Sequence, residues 1–350
     1  MLRKTFMTTL ILLLTLLLPT LSSADELPWS GNGLLLEDIE LRPGVQVDLF
    51  VDVHGDLENK RCHFAIHGGT FTAATWRPYA EALGLARGGE FCVLALDFPA
   101  RRNSGLPSGA LFGDLDLDDY ATAVLAVLDR LEDLDIEPET ILGHSMGGTL
   151  LQMVQQRLVD QGTNLEKRFD IREAILVAPD LPAEVPWALG DGGGLSDLIE
   201  AFAVDEPGLG VLFEIPATLW PAFFFTNLAG DIAPGSPTVE EIEAAGFNAL
   251  GEPLLAIHQL NGTGGFPSRP SIDAGLFTED TRLRLITFGD DIYVQPGETA
   301  ALYAHLTGDD SLACFALLEG PDTVHTLQIS NPVRLVEAID ALADCEYDDD

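Results

Sequence analysis

The chain has 350 residues, of which 47% are hydrophobic, enough apolar material for one large core and a length that suits a single α/β domain carrying an insertion. Against 18 Lys and Arg stand 56 Asp and Glu, a formal net charge of −38, with Lys4, Lys60 and Lys167 the only lysines. That balance excludes nucleic acid and anionic headgroups as partners, because both are held by cations that neutralise phosphates.

At the start of the chain, Arg3 and Lys4 precede an apolar run over 6–18, followed by Pro19, Ser22-Ser23-Ala24 and then Asp25 and Glu26. This three-part form predicts a secretory signal peptide over 1–24, cleaved after Ala24. A bilayer-spanning helix needs roughly 20 apolar residues, so no membrane anchor is expected to remain after processing. Export makes Cys62, Cys92, Cys314 and Cys345 candidates for two disulfides, with three possible pairings. None has C-x-x-C spacing, so neither a redox dithiol nor a compact zinc site is implied. The acidity, spread along the whole chain, fits a soluble protein in saline water, where screening relieves self-repulsion, and equally an acidic secreted protein.

Short β-branched or aromatic stretches bounded by turn signals predict strands over 34–41, 45–53, 62–66 and 91–96, with a helix over 76–86. From Asp116, a plausible N-cap, Leu117, Ala121, Val124, Leu128 and Leu131 recur three or four apart and predict an amphipathic helix. Then come a buried strand over 140–143, a helix over 147–161 ended by Gly162, and a strand over 174–178. Between Pro179 and about Gly275, Pro- and Gly-rich sequence encloses apolar pieces at 209–213, 219–225 and 254–260, which read as helices of an inserted cap. The alternation resumes with strands over 283–288 and 312–318 and helices over 298–306 and 332–343, before an acidic tail. Strand alternating with helix implies a mostly parallel sheet covered on both faces. The expected divisions are 1–24 signal peptide, 25–179 first part of the core, 180–278 cap and 279–350 second part of the core.

Gly143-His144-Ser145-Met146-Gly147 is a G-x-S-x-G sequence lying directly between a buried strand and a helix. A nucleophile on such a turn takes strained backbone angles, and close approach of neighbouring segments leaves room for glycine on either side. The helix that follows turns its N–H groups and positive dipole toward a developing anion. A hydroxyl nucleophile requires a base, and the base a carboxylate to fix its tautomer. Among the histidines, His54 and His63 belong to early strands, His144 to the turn, His258 to the cap and His305 to a helix. His325, in the loop between the last strand and the last helix, is placed to reach the top of the sheet. Asp290 and Asp291 leave the preceding strand at the same edge, and spacing alone only partly separates them.

With these residues the chain resembles the α/β-hydrolase superfamily from about residue 45 to 343, in its lipase and esterase branches. His67-Gly68-Gly69 is similar to the family's oxyanion loop, Asp97-Phe98-Pro99 to its D-x-P turn, and Gly143 to Gly148 to its nucleophile elbow. The order Ser145, Asp290 or Asp291, His325 is also the family's. In relatives the acid precedes a Val-x-Pro or Val-Pro element, which fits Asp291 better, and Asp180 occupies a position some relatives use instead. The resemblance implies an α/β-hydrolase fold with a helical cap. It also implies Ser145 as nucleophile, His325 as base, Asp291 as orienting acid, and an oxyanion held by the N–H groups of Gly69 and Met146. Where relatives commonly continue D-x-P with glycine, this chain has Ala100-Arg101-Arg102. Either these guanidinium groups receive an anionic part of the substrate, or Asp and Glu neutralise them at the surface. Trp220, Phe223, Phe224 and Phe225 read as cap core and as an acyl-binding wall.

The expected activity is hydrolysis of small carboxylic esters with a fairly apolar substrate and no metal or organic cofactor. Cofactor-free perhydrolysis or haloperoxidation by the same triad, or a non-catalytic binding protein on the same fold, are the alternatives. In the resembling fold the strands opened by Cys62 and Cys92 are neighbours, and the last helix runs back beside the strand opened by Cys314. This implies the pairs Cys62–Cys92 and Cys314–Cys345.

Overall fold

The computed structural model describes residues 33–58, 62–191, 195–215, 251–266, 268–320 and 323–345. The expected signal peptide, the apolar piece at 219–225 with Phe223 and Phe224, and the acidic tail at 348–350 lie outside them.

Eight strands form one sheet in the order β1-β2-β4-β3-β5-β6-β10-β11. The first two strands, β1 (Gly33–Arg42) and β2 (Val45–Gly55), run antiparallel to each other, and β2 runs antiparallel to β4 (Cys92–Asp97). In the first half of β2, Val45, Val47 and Leu49 are buried while Gln46 and Asp48 are exposed, the alternation of a sheet with one wet face. The interior strands β3 (Cys62–Ile66), β5 (Thr140–His144), β6 (Glu173–Val177) and β10 (Arg282–Phe288) pair in parallel, as does β11 (Phe315–Leu318) with β10.

Burial on both faces explains why these interior strands read as continuous apolar runs. Along β4, Leu94 and Leu96 enter one core with residues of α2 (Leu117–Asp133) and α3 (Met146–Asp160). Val93 and Ala95 enter the other, with α1 (Arg77–Ala86) and α7 (Pro332–Ala341). The start of α2 was legible because Asp116 and Asp119 form a reciprocal capping box, each carboxylate accepting the other's backbone N–H, at 3.0 and 3.2 Å.

Between β6 and β10 the chain forms α4 (Leu195–Ala201), a second sheet of β7 (Ala203–Glu206), β8 (Gly210–Phe213) and β9 (Glu252–Pro253), and α5 (Leu254–Asn261). The expectation of helix is met at 254–260 but corrected at 209–213. Gly208 and Gly210, at φ +82° and +93°, reverse the chain so tightly that 210–213 folds back on β7 as a hairpin. Its core contact, Leu212, is buried. The last strand also begins later than expected, since Leu312 at φ +56° belongs to the preceding turn. A helix α6 (Pro296–Thr307) links β10 to that turn.

Cys62 and Cys92 stand directly opposite in the β3–β4 register and are bonded with Cα atoms 4.4 Å apart. Cys314, just before β11, is bonded to Cys345, beyond the end of α7, at 5.3 Å. Two disulfides fit an oxidising compartment. Among the described residues, no helix is long and apolar enough to cross a membrane. The cross-links span 30 and 31 residues, and chain entropy assigns each about 3–4 kcal/mol of stability through restriction of the unfolded state. Replacing either pair by serine should lower the unfolding free energy by an amount of that order in a denaturant titration. Non-reducing peptide mapping should recover these two pairs and no mixed one.

Candidate active site

Parallel pairing sets the ends of β3, β5, β6 and β10 at one edge of the sheet, and the chemically informative residues follow those ends. Ser145 sits in the turn from β5 to α3 with φ +52° and ψ −124°. A side chain there is strained, and the turn survives because the backbone around it admits nothing larger than glycine. A Cβ on Gly147 would lie 2.5 Å from the Ile66 carbonyl oxygen, and one on Gly143 2.5 Å from that of Gly147. The Ser145 N–H is anchored on the Val177 carbonyl of β6 at 3.1 Å.

His325 is buried, and its Nδ1 lies 2.9 Å from Asp291 Oδ2. The other Asp291 oxygen accepts the N–H groups of Tyr293 at 2.8 Å and Val294 at 3.2 Å, so the carboxylate is fixed before it meets the ring. Asp290 points to solvent and contributes its backbone N–H to the Thr323 carbonyl. Of the two adjacent aspartates, the structure therefore brings Asp291 to the histidine. Burial pulls the His325 pKa down, but the charge and hydrogen bond of Asp291 and the charge of Asp180 outweigh it, and the net shift is upward. His144 donates from Nε2 to the His325 carbonyl at 2.8 Å and so clamps the loop that carries His325. Burial drives the His144 pKa far down, so it holds this bond as a neutral ring.

Ser145, Met146, Gly69 and His325 line one pocket with Asp180 and a wall of apolar side chains. In this arrangement the Ser145 hydroxyl donates to Asp180 Oδ2 at 3.4 Å instead of to His325. Asp180 thus meets Ser145, not His325. The His67-Gly68-Gly69 loop is braced from two sides. His67, buried and pushed down to about 3, donates from Nδ1 to the Gly68 carbonyl at 2.7 Å, while its Nε2 accepts the Phe98 N–H at 3.5 Å. Thr70, at φ +63°, donates its N–H to Glu252 Oε2 at 2.6 Å. Other histidines are engaged structurally, His63 with the Tyr79 hydroxyl, His258 with Thr263 and His305 with the Ile272 carbonyl.

The arginine pair corrects the sequence expectation of anion binding. Arg101 is fully buried away from the pocket, paired with Glu252 at 2.6 Å and donating to the Gly251 carbonyl at 3.0 Å. Arg102 pairs with Asp52 at 2.5 Å and faces Asp97 at 3.7 Å. Neither lies at the surface or on the substrate side; both neutralise acids inside the fold. Glu252 also accepts the Tyr120 hydroxyl at 2.7 Å. Its role escaped the sequence because it acts on Thr70 from 182 residues away.

Residues 64–338 match the profile of the Alpha/beta hydrolase family. The chain belongs to that family. No curated protein sequence matches it. Among solved structures, the alpha/beta hydrolase is similar to a thermophilic esterase from Thermogutta terrifontis, at 15% identity over 89% of this chain and 97% of that one, TM-score 0.60. A bromoperoxidase from Bacillus anthracis is similar at 19% identity over 89% and 99%, TM-score 0.59. A carboxylesterase from Bacillus subtilis is similar at 15% over 90% and 93%, TM-score 0.56. At such identities the likeness is one of fold.

Removing Arg101 from this alpha/beta hydrolase would leave Glu252 buried without its cation. Arg101→Ala should therefore cost about 3–5 kcal/mol of stability, measured by denaturant unfolding. Arg102→Ala, at a side chain that is itself partly exposed, should cost less.

Proposed function

We propose that the protein is an exported serine hydrolase that cleaves carboxylic esters of fairly apolar substrates through an acyl-enzyme. The observation that carries this reading is the Asp291–His325 pair at 2.9 Å, opening into the same pocket as a serine on a strained strand-to-helix turn. In the reaction, the Ser145 hydroxyl swings from Asp180 to His325 Nε2 and gives up its proton as Oγ attacks the ester carbonyl carbon. The N–H groups of Gly69 and Met146, the latter at the positive end of α3, receive the oxyanion. His325 passes the proton to the leaving alcohol as the C–O bond breaks. It then takes a proton from water as the water oxygen attacks the acyl carbon, and returns that proton to Ser145 Oγ as the acyl C–Oγ bond breaks and the acid leaves. Asp291 holds the imidazole tautomer and stabilises the imidazolium throughout.

Removal of residues 1–24 in export and a cap over 180–278 complete the proposal. The disulfides support the compartment, and the packing of β8, α4 and α5 residues against the pocket supports the cap.

Ser145→Ala should abolish labelling by a fluorophosphonate and lower kcat by several orders of magnitude while the protein stays folded. Full labelling of that variant would overturn the assignment. Asp291→Asn should lower kcat by about 10⁴ through the wrong tautomer, and Asp290→Asn only slightly. Because catalysis needs neutral His325 and its pKa is raised, kcat/KM should climb with pH through a midpoint above 6.5. Asp291→Asn should move that midpoint down. A pH profile that shows peroxide-dependent halogenation and no ester turnover would instead favour the oxidative reading.

A further inference from the structure

Ester hydrolysis as described gives Asp180 no task. The residue follows β6, is only 6% exposed, and holds Oδ2 3.4 Å from the Ser145 oxygen. It cannot orient the base, because His325 Nδ1 is already held by Asp291. A carboxylate at this point opposes the oxyanion that forms when Ser145 attacks, and a desolvated pocket screens that repulsion poorly. For a neutral ester, Asp180 is a handicap. For an ester that brings a positive charge, it is a counter-ion.

The surroundings favour the second case. Among the described residues the Asp180 side chain has one polar partner, the Ser145 hydroxyl. Arg269, whose charge reaches Asp180, directs its guanidinium to the carbonyls of Pro182 and Val185, at 3.1 and 2.7 Å, and lies 5.5 Å over the Trp187 ring. Burial lifts the Asp180 carboxyl to about 6, with the charge of His325 opposing the rise, and a cation seated beside it favours the ionised form. The pocket beyond it is mostly apolar, with Phe71, Trp187, Phe202, Phe213 and Tyr293 in the lining beside aliphatic side chains. Ring faces attract a cation, and most strongly one that has left water. In a lining this apolar a primary ammonium has three donors to satisfy at a desolvation cost, whereas an alkylated ammonium has few or none.

We infer that the pocket selects esters carrying a tertiary or quaternary ammonium group a few atoms from the scissile carbonyl, with Asp180 as counter-ion and the aromatic rings as the wall around the alkyl groups. This rests on Ser145 as the nucleophile. Substrates with a carboxylate in the same place are rejected.

The test compares cationic esters with neutral isosteres on the exported protein. Butyrylcholine against 3,3-dimethylbutyl butyrate puts the charge on the alcohol side. The 4-nitrophenyl esters of 4-(trimethylammonio)butyrate and 5,5-dimethylhexanoate put it on the acyl side. On at least one side kcat/KM should favour the cation tenfold or more, and Asp180→Asn should bring that ratio close to one while Ser145 still reacts with a fluorophosphonate. Choline should also inhibit neutral-ester hydrolysis competitively and better than 3,3-dimethylbutan-1-ol, a measurement that needs no variant. Equal turnover of both isosteres on both sides, or a ratio unchanged in Asp180→Asn, overturns the inference. If Ser145 resists labelling and no ester reacts, the esterase reading has failed. The cation site is then judged by whether choline raises the melting temperature of the wild type and not of Asp180→Asn.

Discussion

The backbone at Ser145 must turn from β5 into α3 within one residue, and it can do so only at a positive φ that side chains avoid. Glycines at 143 and 147 let the turn press against the carbonyls of neighbouring segments, and the Val177 carbonyl of β6 pins its N–H. The strain is thus met by packing from the two adjoining strands. It leaves the hydroxyl exposed above the sheet, at the start of a helix, where the loops after β3, β6 and β10 converge. A looser turn would retract the side chain among those strands and dissolve the site.

Charge follows a second constraint. In a chain so short of cations, Arg101 and Arg102 are assigned to particular acids. Arg101 meets Glu252 and Arg102 meets Asp52, so the loop after β4 is cemented to the strand before α5 and to β2. Through Glu252 the same pair reaches Thr70, whose left-handed backbone continues the oxyanion loop. The segment between β6 and β10 therefore does more than roof the pocket, since its Glu252 carboxylate takes part in shaping the floor. Asp180 stands outside this pairing, in the pocket beside Ser145 and apolar side chains, with no arginine bonded to its carboxylate among the described residues.

What could be read from the chain shares one property: it is encoded within a few residues. The G-x-S-x-G turn, the His67-Gly68-Gly69 loop and the Asp116 capping box each depend on neighbours in sequence. Chain order then ranked His325 above the other histidines, and the local Val-x-Pro element pointed to Asp291 over Asp290. The cysteine pairs were legible at one remove, because equal offsets on strands that the resembling fold places side by side put Cys62 opposite Cys92. The piece at 209–213 misled because a short apolar run suits helix and strand equally, and Gly208 with Gly210 decides for a hairpin only when β7 is there to receive it.

The sequence by itself determined the strand–helix alternation, the turn that carries Ser145, and the family to which these belong, since sterics and hydrophobic period act over single turns of chain. Only the tertiary structure decided that Arg101 and Arg102 face inward acids, that Glu252 holds Thr70, and that Asp180 rests on the Ser145 hydroxyl. Those outcomes depend on which charges distant segments bring into the same desolvated space. There a carboxylate is costly without a partner, and the identity of that partner is written nowhere near it in the chain.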